Sequence, residues 1–223
     1  MDNKHLRRGM SLLLVEGVDA ERFFINACDK KAFGTDEHIQ VWDFHGITEL
    51  TKCIKGLKKM KDFNSVPAIG IIRDAEDDAD GAIRSIQKSL RENSLAVPEN
   101  PNVFVGDFPK ICYALLPGTM SDGKYDKGAL EDLCLKTLSE SENRYLDKVD
   151  AYLQNINELS KLTHRHKSRL HAYLAAKNNF VGMKIGEAAK AGAWDWNSKV
   201  LGNIKIMMQE LEKYGSVKPR ADS

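Results

Sequence analysis

The stretch VPAIGIIRDAEDDADGAIRSIQKSLREN (66–93) places an apolar run, an acidic turn and an amphipathic segment in immediate succession. The continuous apolar run over 66–73 is typical of a strand that is covered on both faces. In 80–93, apolar side chains recur at spacings of three and four, which is the pattern of a helix with one buried face. The stretch therefore predicts a buried strand followed by a helix.

The same alternation of strand and helix is predicted on both sides of this stretch. The predicted elements are strands over 10–16 and 38–44, helices over 19–28 and 46–60, and two further strands over 102–118. Alternation of this kind predicts a mainly parallel sheet with helices on both faces. The fold class is therefore predicted to be α/β.

The pattern changes to helix alone from residue 128 onward. Apolar side chains there recur only at helical spacings, and the segment 116–128 that precedes them is rich in Gly, Asp and Ser, as linkers are. We therefore predict an α/β domain over 1–127 and a helical C-terminal extension over 128–223 that packs on it.

Composition excludes several classes of protein. The 223 residues include 33 basic and 32 acidic side chains, so no overall charge draws the molecule to nucleic acid or to an anionic membrane. The four cysteines are scattered without a CxxC pair, which favours reduced thiols over a disulfide framework or a zinc site. No apolar run has the length of a signal peptide or a membrane span. We expect a soluble, cytoplasmic protein.

Acidic side chains follow two of the predicted strands at the point where each strand ends. Glu16 closes the first strand, Asp74 closes the third, and 74–80 carries five carboxylates. Because ligands in open α/β sheets bind at the carboxyl ends of the strands, we expect these acids to converge. Oxygen ligands without His or Cys suit Mg²⁺ or Mn²⁺. The alternative is an acidic helix start that favours the helix dipole, with Asp80 as the N-cap.

Motifs in the chain resemble the Toprim domain of topoisomerases, primases and overcoming-lysogenization-defect nucleases. LLLVEGVDAERFF (12–24) matches the glutamate that ends the first Toprim strand, and AIGIIRDAEDDADGA (68–82) matches the D-x-D that ends the third. GALEDLCL (128–135) resembles a Gly-x-Leu-Glu element of small Toprim-like proteins. KSRLHAYLAAK (167–177) and VGMKIGEAAKAG (181–192) resemble their helical C-terminus. The resemblance implies a Toprim-like sheet.

The resemblance also implies a set of metal ligands for Mg²⁺ or Mn²⁺. Glu16 matches the Toprim glutamate, Asp74 matches the first aspartate of D-x-D, and Glu131 matches the glutamate of the downstream element. Glu76 stands where the family has its second aspartate, which leaves Asp77 and Asp78 as alternative ligands. The nuclease branch usually has an acid four positions after the first glutamate, and this chain has Ala20 there.

The activity that the resemblance implies is metal-dependent phosphoryl transfer, most simply a nuclease acting on DNA or RNA phosphodiesters. In the nuclease branch a helical lysine reaches the metal centre, and Lys167 and Lys177 both match that description. The basic run 164–177 that contains them is able to bind phosphates, although a solvated helix face is the common role of such a run.

A second function class fits the departures from the family pattern. The substitution at Glu76 and the missing acid at Ala20 favour a non-catalytic module that binds a metal or phosphate and acts through a partner protein such as an ATPase. The nuclease relatives carry a fused ATPase, which suggests a role in phage defence or DNA repair. The sequence leaves open whether the chain forms a homo-oligomer.

Overall fold

A computed structural model describes residues 5–35, 37–46, 48–122, 124–159 and 161–216. Its centre is a four-stranded parallel sheet with the strand order β2-β1-β3-β4. The strands are β1 (Ser11–Val15), β2 (Ile39–Asp43), β3 (Ala68–Asp74) and β4 (Lys110–Leu116). The predicted α/β class is confirmed, because a parallel sheet is flanked by helices and a helical region follows it.

Helices connect and follow the strands. The α-helices are α1 (Val18–Asp29), α2 (Leu50–Leu57), α3 (Ala79–Glu92), α4 (Leu130–Lys136), α5 (Glu140–Leu159), α6 (Arg165–Ala175), α7 (Ile185–Ala191) and α8 (Gly202–Ser216). Short 3₁₀ turns occupy Phe63–Ser65 and Lys199–Leu201. No helix in the described ranges combines the length and apolar character that a membrane span requires.

The two faces of the sheet are covered by different helices. On one face, β-strand side chains pack with the buried residues of α2 and α3 in one hydrophobic cluster. On the other face they pack in a second cluster with α1 and with the helices of the C-terminal region. Because both faces are covered, β1 and β3 contain almost only buried apolar residues before their acidic ends.

Helix α8 lies directly against the sheet at Gly70 of β3. A Cβ atom at this position would lie 2.6 Å from Cε of Met207 and 2.7 Å from Cδ1 of Leu211, so glycine permits the close approach. The hydroxyl of Ser11 on β1 also donates to the carbonyl of Leu211 at 2.7 Å. These contacts fix the C-terminal region to the two central strands.

Three predictions about local structure need correction. Over 102–118 the chain forms one strand, β4, and the segment before it joins β4 only through an isolated bridge between Val105 and Ile111. The predicted linker contains a small antiparallel hairpin, β5 (Met120–Ser121) and β6 (Lys124–Tyr125). Helix α2 begins at Leu50 rather than in the predicted first turn, where Ile47 lies outside the described residues.

The helix start in the acidic stretch also differs from the prediction. Asp78, not Asp80, is the N-cap of α3, and its carboxylate accepts the Gly81 N–H at 2.8 Å. Asp80 lies in the first turn of the helix. The acidic stretch therefore divides into a capping acid, a first-turn acid and the acids at the end of β3.

Candidate metal centre

Glu16, Asp74, Glu76 and Glu131 form a group that we call the acidic cluster. Glu16 follows β1 and Asp74 ends β3, and these strands are neighbours in parallel register, with Val15 opposite Ile72. The charges of Glu16, Glu131 and Glu76 all act on the carboxyl group of Asp74. The structure thus brings together, from three separate segments, four of the acids that the sequence predicted as ligands.

The protonation of Asp74 is strongly altered by its surroundings. Burial is the largest cause, and the like charges of Glu16, Glu131 and Glu76 add to it, so the pKa of Asp74 is raised well above its usual value. The Leu130 N–H, which donates to Asp74 Oδ1 at 3.0 Å, acts in the opposite direction but is weaker. Without a cation, the site therefore favours a proton on Asp74.

Burial and a neighbouring guanidinium shift the pKa of Glu16 in opposite directions. Burial raises the pKa of Glu16, the charge of Arg73 lowers it, and the charge of Glu76 raises it again, with a net increase. Arg73 Nε lies 3.4 Å from Glu16 Oε2. No hydrogen bond forms for Oε2 within the part of the chain that is described. Glu16 Oε2 is thus a buried oxygen whose described contact is the ion pair with Arg73.

The two remaining acids of the cluster are held by the loop before α4. Glu76 has a positive φ of 50° and exchanges two backbone hydrogen bonds with Gly128, at 2.8 and 2.9 Å. This bridge brings the start of α4 to the end of β3, so that Glu131 of α4 is buried beside Asp74 while Glu76 stays exposed. The tertiary contact explains why a glutamate so distant in sequence joins the site.

Asp43 is a further buried acid at this edge of the sheet, and it was not among the residues predicted from the sequence. It ends β2, and its Oδ1 accepts the Gly17 N–H at 2.8 Å and the His45 N–H at 2.6 Å. Gly17 has a φ of 89°, a backbone region that favours glycine, so this bond supports the turn immediately after Glu16. The acidic end of the predicted strand 38–44 was the available signal.

The other predicted site residues are not brought into the acidic cluster. Asp78 caps α3 and lies 3.5 Å from Nη2 of Arg84. Lys177 donates to Glu142 Oε2 at 2.7 Å and lies 4.0 Å from the ring centroid of Tyr145. Lys167 is exposed on α6. Their proposed roles as a metal ligand and as catalytic lysines stay predictions.

A cleft of about 700 Å³ opens beside Glu76 and Gly128. Its acidic lining residues are Glu76, Asp77, Asp132 and Asp150, and its basic ones are Lys127, His164, Arg165, His166 and Arg169. Arg169 forms a bidentate ion pair with Asp150, at 2.7 and 2.8 Å, which fixes its position. The cleft therefore combines an acidic wall next to the cluster with a basic wall from the start of α6.

The donor set of the acidic cluster suits a hard divalent cation, because every donor is a carboxylate oxygen. The like charges of Glu16, Glu131 and Glu76, which add to burial in raising the pKa of Asp74, indicate more negative charge than the single guanidinium of Arg73 balances. Among the residues that the structure describes, no three His, Cys, Asp or Glu side chains already surround a common ion position. Mg²⁺ or Mn²⁺ would therefore be held by Glu16, Asp74 and Glu131 only after side-chain rotation.

The fold and this site define an α/β protein with an acidic strand-end cluster, and one family model matches it. The match covers residues 10–213, from β1 into α8, and the chain belongs to this family, the proteins of unknown function designated DUF3226. Comparisons with curated proteins and with solved structures give no match. The relationship to Toprim proteins stays a prediction.

Proposed function

We propose that the protein is a Mg²⁺- or Mn²⁺-dependent phosphodiester hydrolase that acts on nucleic acid. The observation that carries this proposal is the convergence of Glu16, Asp74, Glu76 and Glu131 at the carboxyl edge of the sheet, where burial and, after it, the repulsion of the other three acids raise the pKa of Asp74. Such repulsion lowers the stability of the fold unless a cation relieves it. A function that binds a cation accounts for the arrangement better than a solvated helix start does.

The residues of the site divide into two tasks. A divalent ion bound there would supply charge neutralisation at the phosphate and a more acidic bound water. Glu16, Asp74 and Glu131 would hold that ion with buried or half-buried carboxylates. Glu76 is exposed and lines the cleft, so it faces the side from which substrate enters.

The basic wall of the cleft supports a polyanionic substrate. Arg165 and Lys127 are exposed, and no ion pair within the described ranges involves either of them. Arg169, in contrast, is occupied by Asp150 and shapes the wall. Cations that are free of protein partners bind backbone phosphates without reading bases, so we expect binding that is independent of sequence and sensitive to salt.

A second candidate is a non-catalytic module that binds a metal or phosphate and acts through a partner protein such as an ATPase. It is favoured by the absence, among the described side chains, of a ligand set already arranged around an ion. In either case we place the protein in the cytoplasm, in accord with the free thiols of Cys28, Cys53, Cys112 and Cys134.

The test is a cleavage screen with plasmid and oligonucleotide substrates of DNA and RNA in the presence of Mg²⁺, Mn²⁺ or Ca²⁺. We expect products with Mg²⁺ or Mn²⁺, and a loss on the order of 100-fold for Glu16→Gln and Asp74→Asn through weakened metal binding. Asp80→Asn is the matched control, because this acid lies in the same stretch but in the first turn of α3. Metal binding without products from any substrate would favour the second candidate.

A further inference from the structure

Arg73 is a buried cation immediately before Asp74 on β3. Its residue exposure is 5%, although charged side chains are seldom so buried unless they are paired. Side chains alternate along a strand, so Arg73 points to the face covered by α2 and α3, and Asp74 points to the opposite face. The guanidinium therefore approaches the acidic cluster from the face opposite to Asp74.

The contacts of Arg73 are few for so buried a charge. Its ion-pair partner is Glu16, at 3.4 Å, and its Nη1 makes a long contact of 3.5 Å with the carbonyl of Ala82. Within the described chain, Arg73 Nε and Glu16 Oε2 both lack a hydrogen bond. The pair is thus an ionic contact without aligned hydrogen bonds, which leaves Glu16 able to rotate toward another cation.

A buried arginine with one loosely aligned partner is costly, since removing a charge from water costs several kcal/mol in a protein interior. The other side chains on this face of β3, such as Ile69 and Ile71, are apolar and pack in the hydrophobic core. Because Arg73 lies next to Glu16, its charge acts on the acidic cluster, which an apolar side chain at this position would not do.

We propose that Arg73 is a built-in cation of the acidic cluster that occupies the flank of Glu16 where a second divalent ion would bind, so that the site takes one divalent ion. The inference rests on the proposed function only in that the cluster binds a metal. Two-metal sites place their ions about 3.5–4 Å apart and share carboxylates between them. A guanidinium in contact with the Glu16 carboxylate repels an ion from that position.

Charge balance supports a single ion. If all four acids of the cluster are ionised, one divalent ion and one guanidinium leave a single negative charge. A second divalent ion would make the site positive in a partly buried environment, where like charges repel strongly. Arg73 therefore acts as a positioning residue that sets the metal content of the site.

The test is a count of bound Mn²⁺ by titration calorimetry and by electron paramagnetic resonance of the free ion, with the full chain and without substrate. We expect one Mn²⁺ per chain for the wild type and for Arg73→Lys, which keeps the charge. For Arg73→Gln we expect either a second Mn²⁺ or binding of the first that is tighter by about tenfold, because the repulsion is removed.

The possible outcomes separate this inference from the proposed function. Two Mn²⁺ ions on the wild type would overturn the role of Arg73 and leave the proposed metal chemistry intact. No Mn²⁺ on the wild type would overturn both. One Mn²⁺ on Arg73→Gln, bound with the affinity of the wild type, would also overturn the role of Arg73. Circular dichroism shows whether this variant folds, and if it does not, Arg73→Met, which suits the apolar face of β3, takes its place with the same expected outcomes.

Discussion

Replacing Asp74 by asparagine should make the metal-free protein more stable at alkaline pH. Burial and the charges of Glu16, Glu131 and Glu76 raise the pKa of Asp74 well above the value of about 3.8 that the unfolded chain has. Between these two pKa values the folded state binds more protons than the unfolded state, so wild-type stability falls as pH rises through that window. Asparagine is neutral throughout and keeps an oxygen that accepts the Leu130 N–H.

The gain in stability is set by how poorly the ionised carboxylate of Asp74 is compensated in the folded protein. Its one described backbone donor is the Leu130 N–H at 3.0 Å, and three like charges oppose it. Uncompensated buried polar groups cost about 1–3 kcal/mol. For a chain of this length that difference corresponds to a rise in Tm of about 2–12 °C above the wild type at alkaline pH. Below a pH of about 3.8, where Asp74 is protonated in the folded and the unfolded state alike, we expect the two proteins to melt together.

The assay is thermal unfolding followed by circular dichroism across this pH range, with chelator and with added Mn²⁺. The wild type should gain stability from Mn²⁺ because the ion binds only the folded state, and Asp74→Asn should gain much less. A variant that melts below the wild type by the same amount at every pH, with Mn²⁺ stabilisation intact, would refute the reasoning. Asp74 would then be a structural hydrogen-bonding acid.

Three further predictions concern protons, capping and the cleft. Below the raised pKa of Asp74, the affinity for Mn²⁺ should rise by up to about tenfold per pH unit, because the ion displaces the proton of Asp74. Calorimetry in buffers of different ionisation enthalpy would show this proton release. An affinity that does not change with pH would exclude Asp74 as a ligand. Asp78→Ala should destabilise the protein by about 0.5–2 kcal/mol without changing Mn²⁺ affinity, since its carboxylate caps α3, whereas Asp80→Ala should cost less in the same denaturant titration. Arg165→Ala should weaken the binding of unrelated single-stranded sequences equally. If Arg165 contacts one phosphate, the substitution should also reduce the slope of log K against log salt by about 0.7. An effect on one sequence alone would contradict recognition of the phosphate backbone.

The sheet was predictable because its strands are covered on both faces. The apolar runs that end in Glu16 and Asp74 correspond to β1 and β3, and the amphipathic segment 80–93 corresponds to α3 within one residue at each end. The hairpin of β5 and β6 was not predictable from alternation, because strands of two residues are too short to show a period.

The acidic cluster was predictable in part. The rule that strand ends meet at one edge predicted correctly that Glu16 and Asp74 lie together, and it applies equally to Asp43, which ends the neighbouring strand β2. Partners set by tertiary packing gave no such signal. Nothing in the local sequence shows that Arg73 lies beside Glu16, or that α5 supplies Glu142 as the partner of Lys177.

The contact between α8 and the sheet has a consequence for how the protein is made. Residues Met207 and Leu211 cover Gly70, and Ser11 bonds to Leu211, so α8 completes the core around strands that precede it by most of the chain. During synthesis from the N-terminus, the part of this face around Gly70 and Ser11 stays uncovered until α8 leaves the ribosome. Folding therefore depends on long-range contacts that form late, and we expect nascent chains halted before α8 to be bound by chaperones and to be sensitive to proteases.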